Sequence, residues 1–367
     1  MKRKPKNKRQ HFVPRHYLRH FSTGRDRIGV AALDPFRYIG VDVIKTHCQA
    51  NHFYGKVDQI DDWLGSVERL SAPMLRRIAT DMTMEGEELV AMRLLAVIFH
   101  MRTRKAAEIA KLWPKRVADM VLKNAIDRGE LPPPPGGWRP GLMDFQGANS
   151  ALIRQCLVGC FLEMDTLEHR FLCPDVGVDE RFVTSDHPVV LLNPFLDRGA
   201  DSTRCFAGFS RAGFQLVFPL SPKCCLVFFD PGVYEFASTE TVRIGSADVD
   251  RINSLQFQSA DKCLVFDPGT TKEEIERLRR FADYRRPVGD HLRPEIFSEG
   301  IEGLQILTTN VLLPEELDCC RLLECPRVGE NAYRDPIWSE FCTRVEGECD
   351  GNFEEIEEAM RRVERKF

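Results

Sequence analysis

The stretch QHFVPRHYLRHF, residues 10–21, combines five large apolar residues with three histidines, two arginines and a proline close to the start of the chain. It follows the opening MKRKPKNKR, which carries six basic residues. A segment this near a terminus is usually polar and poorly ordered. Because the apolar side chains gain from leaving water, we expect this docking segment (residues 10–21) to fold inward and to hold its histidines at the wall of a pocket.

The composition of the whole chain is that of an ordinary globular protein. Its 367 residues are 43% apolar and 29% charged, with a net charge of −4, which is not typical of a nucleic-acid-binding protein. The charge is unevenly spread, because residues 1–21 carry eight Lys or Arg and no acid, whereas residues 346–358 are rich in acid. Two solvated tails explain this pattern; a basic arm that contacts phosphates is the alternative.

The cysteines and the apolar runs indicate the cellular compartment in which the protein is expected. The 13 cysteines are scattered and form no C-x-x-C pair. Their odd number, and the lack of an apolar segment behind the basic start, predict a cytoplasmic protein. No window approaches the roughly 18 uninterrupted apolar residues of a membrane span, so no membrane contact is expected.

The hydrophobic pattern predicts an α+β fold, with a helical N-terminal half packed on a β-rich C-terminal half of mixed or antiparallel strands. One long helix is predicted from Glu85 to Leu112. Further helices are predicted at VDQIDDWLGSVERLSAPMLRRIATD, DFQGANSALIRQCLVGCFLEMD, SADVDRINSLQFQSA and TTKEEIERLRRFADY. Strands are predicted at IGVAALD, RFVTSDHPVVLLN, GFQLVFPLSP, KCCLVFFD and KCLVFD.

These patterns divide the chain into five regions. They are a basic arm with the His-Phe-Val-Pro motif (1–21), a mostly helical region (22–130), a Pro/Gly loop (131–141), an α+β region (142–285) and a C-terminal extension with an acidic helical tail (286–367). The loop, LPPPPGGWRPG, is the clearest interruption of the chain, because proline and glycine end both helices and strands.

Four segments, taken in order, resemble the domain-of-unknown-function family 4238. They are QHFVPRHYLRHF, NHFYG (51–55), the helix that ends in FHMRTR, and FVTSDHPVVLLNP followed by FPLSPKCCLVF. The His-Phe-Val-Pro signature is the specific one among them, and the resemblance extends to about residue 265. The family's reaction is not established, so the resemblance implies where a site lies and no chemistry.

Three side chains are candidate catalytic residues. His11 precedes a helix start at Pro14, where the helix dipole favours a neutral imidazole that can act as a base or a metal ligand; the alternative is that it fixes the helix start. Arg102, near a helix end, can hold a phosphate bidentately, although a cation is favoured there in any case. Asp186 interrupts a strand and can bind a metal or orient a water, or form an Asx turn before Pro188.

Neighbouring residues are candidates for substrate binding. They are Arg15, Tyr17, His100, Ser185 and His187. His16 and His20 share a helix face but lack the glutamate of a zinc motif, so we interpret them as a solvated basic face. Glu68 is a candidate carboxylate partner for Arg102, with a salt bridge on its own helix as the alternative.

The leading functional hypothesis is a hydrolase that acts on a phosphate-containing substrate, of phosphodiesterase or nuclease type. Its partner would be nucleic acid or a nucleotide, and Mg²⁺ or Mn²⁺ would be held by His11 and Asp186. Motifs of P-loop, dinucleotide and α/β-hydrolase chemistry are missing. One alternative is a non-catalytic binding or sensor protein, for instance in a bacterial defence or stress locus. The other is that these motifs have no binding or catalytic role and serve folding alone.

Overall fold

The computed structural model describes residues 9–24, 26–54, 59–84, 86–134, 136–137, 164–197, 211–237, 239–285, 292–296, 304–308, 317–324 and 326. Within these ranges the fold is α+β with mixed or antiparallel sheets, as predicted. The basic opening, the acidic tail and nearly all of the predicted helix DFQGANSALIRQCLVGCFLEMD lie outside the described residues. No helix in the described part is long and apolar enough to cross a membrane.

The helices include those predicted from the segments VDQIDDWLGSVERLSAPMLRRIATD, SADVDRINSLQFQSA and TTKEEIERLRRFADY. The described helices are α1 Arg15–Leu18, α2 Gln59–Asp81, α3 Glu87–Met101, α4 Arg104–Asp127, α5 Pro194–Asp197, α6 Ser246–Ser259 and α7 Lys272–Arg277. Short 3₁₀ turns span Arg19–Phe21, Ile44–Thr46 and Leu278–Tyr284. A capping box at the start of α7, in which the Thr271 side chain and Glu274 exchange hydrogen bonds with the main chain, accounts for its first turn.

The single long helix predicted from Glu85 to Leu112 is wrong, because two helices, α3 and α4, meet at Arg102 and Thr103. Thr103 has extended backbone angles, and its side chain accepts a hydrogen bond from the main-chain amide of Ala106. That cap satisfies a free amide at the start of α4, so the chain can turn there. The turn places Arg102 between two helices.

The strands form two larger sheets and three two-stranded pairs. The strands are β1 Arg9–His11, β2 Ser22–Thr23, β3 Arg27–Leu33, β4 Phe36–Val43, β5 Gln49–Asn51, β6 Glu168–Pro174, β7 Thr184–Ser185, β8 Val190–Leu192, β9 Gln215–Ser221, β10 Cys224–Phe229, β11 Tyr234–Phe236, β12 Thr241–Ile244, β13 Cys263–Phe266, β14 Leu292–Ile296, β15 Leu304–Thr308 and β16 Cys320–Leu322. One sheet has the order β12-β6-β10-β9-β8 and contains a single parallel pair, β12 with β6. Three pairs stand apart, β1 with β5, β11 with β16, and β14 with β15.

The other large sheet joins distant parts of the chain. Its strand β3 pairs antiparallel with β13, so that Gly29 lies opposite Phe266, and β13 also pairs with β7. Strand β4 pairs with β3 along the outer edge. Residues 22–43, which precede the long helices, therefore contribute β2, β3 and β4 to the sheet that contains the strand with Thr184 and Ser185.

The docking segment folds inward and belongs to the largest apolar core. Five of its side chains are at most 5% exposed: Phe12, Val13, Tyr17, Leu18 and Phe21. The ring of Tyr17 lies 5.2 Å from that of Phe99 on α3 and 5.4 Å from that of Phe218 on β9. Strand β1 pairs with β5, which fixes the backbone of His11 opposite Gln49.

Candidate functional site

Arg102 is buried between α3 and α4, and its guanidinium contacts three separate segments. Its Nη2 atom donates to the main-chain oxygen of His11 at 2.9 Å and lies 2.8 Å from Oε1 of Glu68 on α2. Its Nε atom donates to the hydroxyl of Tyr54 at 3.2 Å. A buried cation requires a counter-charge and hydrogen-bond partners, and these contacts supply both. Glu68 is therefore a carboxylate partner of Arg102.

His11 meets Arg102 through its main-chain carbonyl, and its imidazole forms a hydrogen bond with the main chain of Ile44. The Nε2 atom of His11 is buried and has no hydrogen-bond partner among the described residues. Burial, followed by the positive charges of Arg15 and Arg102, lowers the pKa of His11 to about 4. The imidazole is therefore neutral at pH 7, with burial rather than the helix dipole as the main cause.

His16 is the functional candidate that sequence reasoning missed. Its side chain is only 12% exposed, so the interpretation as part of a solvated face is wrong. Its Nδ1 atom lies 3.9 Å from Oε2 of Glu68, and its Nε2 atom is buried without a partner. Burial, then the charges of Arg102 and His20, lower the pKa of His16 to about 4. The sequence did contain a signal for the burial of His16. The docking segment is so rich in apolar residues that its four-residue helix, α1, has little surface left to face solvent.

We call His11, His16, Tyr54, Glu68 and Arg102 the His–Arg cluster. It combines two neutral imidazoles, a guanidinium, a carboxylate and a phenol whose pKa is raised by burial. A buried polar atom without a partner costs about 1–3 kcal/mol. Two such ring nitrogens beside one buried cation therefore suit a bound anionic group. That group could accept hydrogen bonds from the imidazoles or transfer a proton to them.

Asp186 belongs to a different set of contacts. Its two carboxylate oxygens accept hydrogen bonds from the main-chain amides of Asp261, at 2.8 Å, and Lys262, at 2.7 Å. Burial, and then the charge of Asp261, raise the pKa of Asp186 to about 6. These contacts hold the chain where it enters β13, and none of them involves His11. The structure therefore does not bring Asp186 into the His–Arg cluster.

His100 and His187 lie beside Asp186 in what we call the TSDHP network, the buried polar contacts around residues 184–188. The centroids of the two imidazole rings are 4.7 Å apart. Nδ1 of His187 lies 2.6 Å from the hydroxyl of Thr103, and Nδ1 of His100 bonds to the main-chain oxygen of Val189 at 3.0 Å. Because Thr103 follows Arg102 directly, this network contacts the break between α3 and α4.

The remaining substrate-binding candidates already have protein partners. The hydroxyl of Ser185 donates to the side-chain oxygen of Gln256 at 3.0 Å. Nη2 of Arg15 donates to Asp26 at 2.9 Å, although its Nε atom is buried and unpaired. Arg15 lies close enough to His11 to lower its pKa. Of these two residues, only Arg15 borders the His–Arg cluster.

Tyr17 connects the docking segment to the TSDHP network. Its hydroxyl donates to the main-chain oxygen of Pro219 at 2.7 Å and lies 2.6 Å from the hydroxyl of Thr184. Because a phenol has one proton, the hydroxyl of Thr184 donates in the second contact. Tyr17 is fully buried, so its place is in the core that positions His11 and His16.

The described residues contain no group of three or more His, Cys, Asp or Glu side chains arranged to hold a metal ion. His11 and Asp186, the two metal-ligand candidates, have the separate contacts described above.

Comparison with known proteins gives a single match. The family model described as "Protein of unknown function (DUF4238)" matches residues 9–132 and 140–270. The interval between the two matched segments falls in the Pro/Gly loop. No curated protein and no solved structure matches the chain. Because the two matched segments span well over half of its residues, the chain belongs to the DUF4238 family of proteins of unknown function.

Proposed function

We propose that the protein is a hydrolase of phosphate-containing substrates and that the His–Arg cluster is its active site. The observation that supports this most is the pair of buried imidazoles, His11 and His16, each with an unpaired ring nitrogen and each within electrostatic range of Arg102. Proton transfer by a positioned histidine and stabilisation of phosphate charge by arginine are the two contributions that phosphate ester cleavage requires.

A bound phosphate would bring the imidazoles into a useful pKa range. The positive charge of Arg102 lowers the pKa of both His11 and His16. A negative phosphate group nearby would act in the opposite direction and raise both values towards neutrality. General acid–base catalysis is most efficient when the pKa lies near the working pH. Substrate binding would therefore activate these groups.

The substrate would approach from the side of Glu68. The Glu68 side chain is 30% exposed, whereas that of Arg102 is 3% exposed, so the carboxylate is the partner of Arg102 that solvent can reach. A phosphate that replaces this carboxylate would meet Nη2 of Arg102 in the same place. We assign proton transfer to imidazole rather than to a metal held by His11 and Asp186, because both oxygens of Asp186 accept from main-chain amides.

Nucleic acid or a nucleotide remains the proposed partner, supported by the eight Lys or Arg of residues 1–21. We also propose a cytoplasmic location, supported by the free thiols of the cysteines that the structure describes. A role in a bacterial defence or stress locus stays a hypothesis.

The test is an activity assay on the purified full-length chain with RNA, DNA, nucleotides and a chromogenic phosphodiester, in Mg²⁺, in Mn²⁺ and in EDTA. We expect turnover that falls about 100-fold or more in His11→Gln, as is usual for the loss of a general acid or base. His169→Gln is the matched control, because His169 lies on β6, contacts Glu240 at 3.3 Å and is not part of the His–Arg cluster. If the intact protein turns over none of these substrates, the proposal is wrong.

A second candidate function is recognition of a phosphate-containing ligand without turnover. It is favoured by the closed set of contacts around Arg102, whose charge already has Glu68 as a partner. In that case inorganic phosphate or an oligonucleotide would raise the melting temperature of the protein. The same ligand would remain unchanged after prolonged incubation, and Arg102→Lys would abolish the shift.

A further inference from the structure

We infer that the substrate is RNA, cleaved by attack of a ribose 2′-hydroxyl on the neighbouring phosphate, with His11 and His16 as the acid–base pair. This inference rests on the proposed function and goes beyond it by naming the nucleophile, the substrate class and a second proton-transfer residue. The observation that carries it is the presence of two equivalent imidazoles, rather than one, at the same buried cation.

The two imidazoles come from different elements, and each lies near enough to Arg102 for its charge to lower the imidazole pKa. His11 is at the end of β1, and His16 is in α1. His16 lies beside the Glu68 carboxylate that pairs with Arg102, and the main chain of His11 accepts from Arg102 itself. Each ring has a buried Nε2 atom without a partner. One cleavage step that removes a proton from one oxygen and delivers a proton to another requires two such groups.

The character of the bases favours an internal nucleophile. Before substrate binds, burial and nearby arginines keep both imidazoles neutral and weakly basic, and a bound phosphate would raise the pKa of each only towards neutrality. A weak base activates water poorly. A hydroxyl held in the same molecule beside the phosphate has an effective concentration of roughly 10⁵–10⁸ M in well-oriented cases, which compensates for weak activation. In a nucleic acid that hydroxyl is the ribose 2′-hydroxyl, and DNA lacks it.

The step balances without any further reactant. One neutral imidazole takes the proton of the 2′-hydroxyl while the 2′-oxygen forms a bond to phosphorus. The bond from phosphorus to the 5′-oxygen of the next nucleotide breaks, and the other imidazole gives its proton to that oxygen. This second imidazole takes up its proton from solvent when the bound phosphate raises its pKa. The products are a 2′,3′-cyclic phosphate and a 5′-hydroxyl end. Addition of water to the cyclic phosphate in the reverse sense restores both protonation states.

Arg102 is placed to stabilise the charge that develops on the phosphate. Its guanidinium is held in a fixed position by the carbonyl of His11 and the hydroxyl of Tyr54. A donor that is already oriented does not need to reorganise during the reaction. The six basic residues of the opening add positive charge for a polyanionic strand. Arg15 and Arg19, which flank His16, share a single carboxylate, that of Asp26, and so leave a net positive charge there.

The first test uses an oligonucleotide that contains a single ribose in an otherwise 2′-deoxy strand, with all-deoxy and 2′-O-methyl strands as matched controls, in EDTA. We expect cleavage only after the ribose and a 2′,3′-cyclic phosphate product by mass spectrometry, with at least 1000-fold less cleavage of either control. Equal cleavage of the all-deoxy strand would overturn the inference and leave the proposed function intact. The absence of cleavage of every phosphate ester would overturn both.

The second test separates the acid from the base. His11→Gln and His16→Gln should each lower kcat about 100-fold or more, and each should remove one limb of a bell-shaped pH–rate profile. A substrate with a 5′-bridging sulfur has a leaving group that needs no proton. It should therefore restore cleavage to one of the two variants and not to the other. His169→Gln should behave as the unmodified protein, and urea unfolding verifies that every variant is folded.

The inference is overturned if His16→Gln is folded and fully active. It is also overturned if the sulfur substrate rescues neither variant, because one of the two histidines must then act in another way. A merely structural role for either residue would change stability without changing the limbs of the pH–rate profile.

Discussion

The guanidinium of Arg102 contacts a main-chain carbonyl, a phenol and a carboxylate from three segments that are far apart in the chain. Arginine suits this position because its donors point in several fixed directions, whereas lysine has a single charged head group. Tyr17 has a comparable role nearby, since its hydroxyl joins the docking segment to Pro219 and Thr184. At the scale of residues, directional polar contacts decide where the docking segment lies.

Tyr17→Phe tests that role. The substitution removes the phenolic hydroxyl and, with it, the buried hydrogen bonds to Pro219 and Thr184, so we expect the free energy of unfolding to fall by about 1–3 kcal/mol. Tyr17→Ala also leaves a cavity and should cost about 3–5 kcal/mol. Urea denaturation measures both changes. Tyr284→Phe, at a residue that is 41% exposed, is the control and should have almost no effect.

A further consequence concerns function. If Tyr17 positions the histidines, Tyr17→Ala should increase proteolysis within residues 9–21 and lower activity together. Unchanged protease resistance of that segment, with unchanged activity, would contradict this view of the docking segment.

Two elements depart from the pattern of their own residues. The apolar periodicity from Glu85 to Leu112 continues through the break between α3 and α4, because the break occupies only Arg102 and Thr103. The cap formed by Thr103 and the contacts of Arg102 determine the break, and neither changes the apolar repeat. Strand β3 contains a glycine, Gly29, although glycine is unfavourable inside a strand. The reason lies in the partner strand β13, where Phe266 is paired with Gly29.

Two glycine-to-alanine substitutions should have opposite effects on stability. A Cβ at Gly29 would lie 2.2 Å from the ring of Phe266, so Gly29→Ala should lower the free energy of unfolding by about 1–3 kcal/mol through overpacking. Gly65, inside α2, has nothing within 4 Å of the same position. Gly65→Ala should therefore raise the free energy of unfolding by about 1 kcal/mol through helix propensity.

The midpoint of urea unfolding, at an unchanged slope, measures both glycine effects. A neutral Gly29→Ala would show that β3 and β13 are further apart than the structure has them.

At the scale of the whole molecule, the chain buries several imidazoles in a neutral state. Burial is the main cause that lowers the pKa of His11, His16 and His100 to about 4. In the unfolded chain these groups titrate near 6.5. Their burial therefore couples the stability of the entire fold to pH, because they belong to the core that unites the docking segment, α3 and the TSDHP network.

The sign of this coupling follows from proton uptake. Between about pH 6.5 and pH 4 the unfolded chain binds protons at these histidines that the folded chain does not bind, so the free energy of unfolding falls as the pH falls. Asp186 acts in the opposite direction: its pKa is raised to about 6, so its contribution to stability is lost as the pH rises through 6. Three histidines outweigh one carboxyl group, so we expect lower stability at pH 4.5 than at pH 7.

Urea unfolding at a series of pH values between 4.5 and 7.5 measures this dependence. His100→Asn, which can still donate to the main-chain oxygen of Val189, should reduce the slope between pH 4.5 and pH 6.5. His52→Asn, at a turn residue outside the core, is the control and should leave the slope as it is. Greater stability at pH 4.5 than at pH 7 would contradict the prediction.

Much of the fold was predictable from the sequence, and part of the candidate site was. The strands at CCLVFF and CLVF, the helix at residues 246–259 and the inward docking of Tyr17 and Phe21 all follow the apolar pattern. His11 and Arg102 were predicted to share a site, and the structure brings them into contact through the carbonyl of His11. Asp186 was predicted to join them, and its oxygens bond elsewhere.

The sequence by itself determined which segments leave water, because hydrophobic burial is non-directional and depends on the number and spacing of apolar residues, as in the docking segment. Only the tertiary structure decided that His16 and Glu68 meet at Arg102, and that Asp186 holds the entry to β13 instead. Hydrogen bonds and ion pairs act over about 3 Å and need defined angles. Which residues pair in this way therefore depends on their positions in space, and the order of residues along the chain does not reveal those positions.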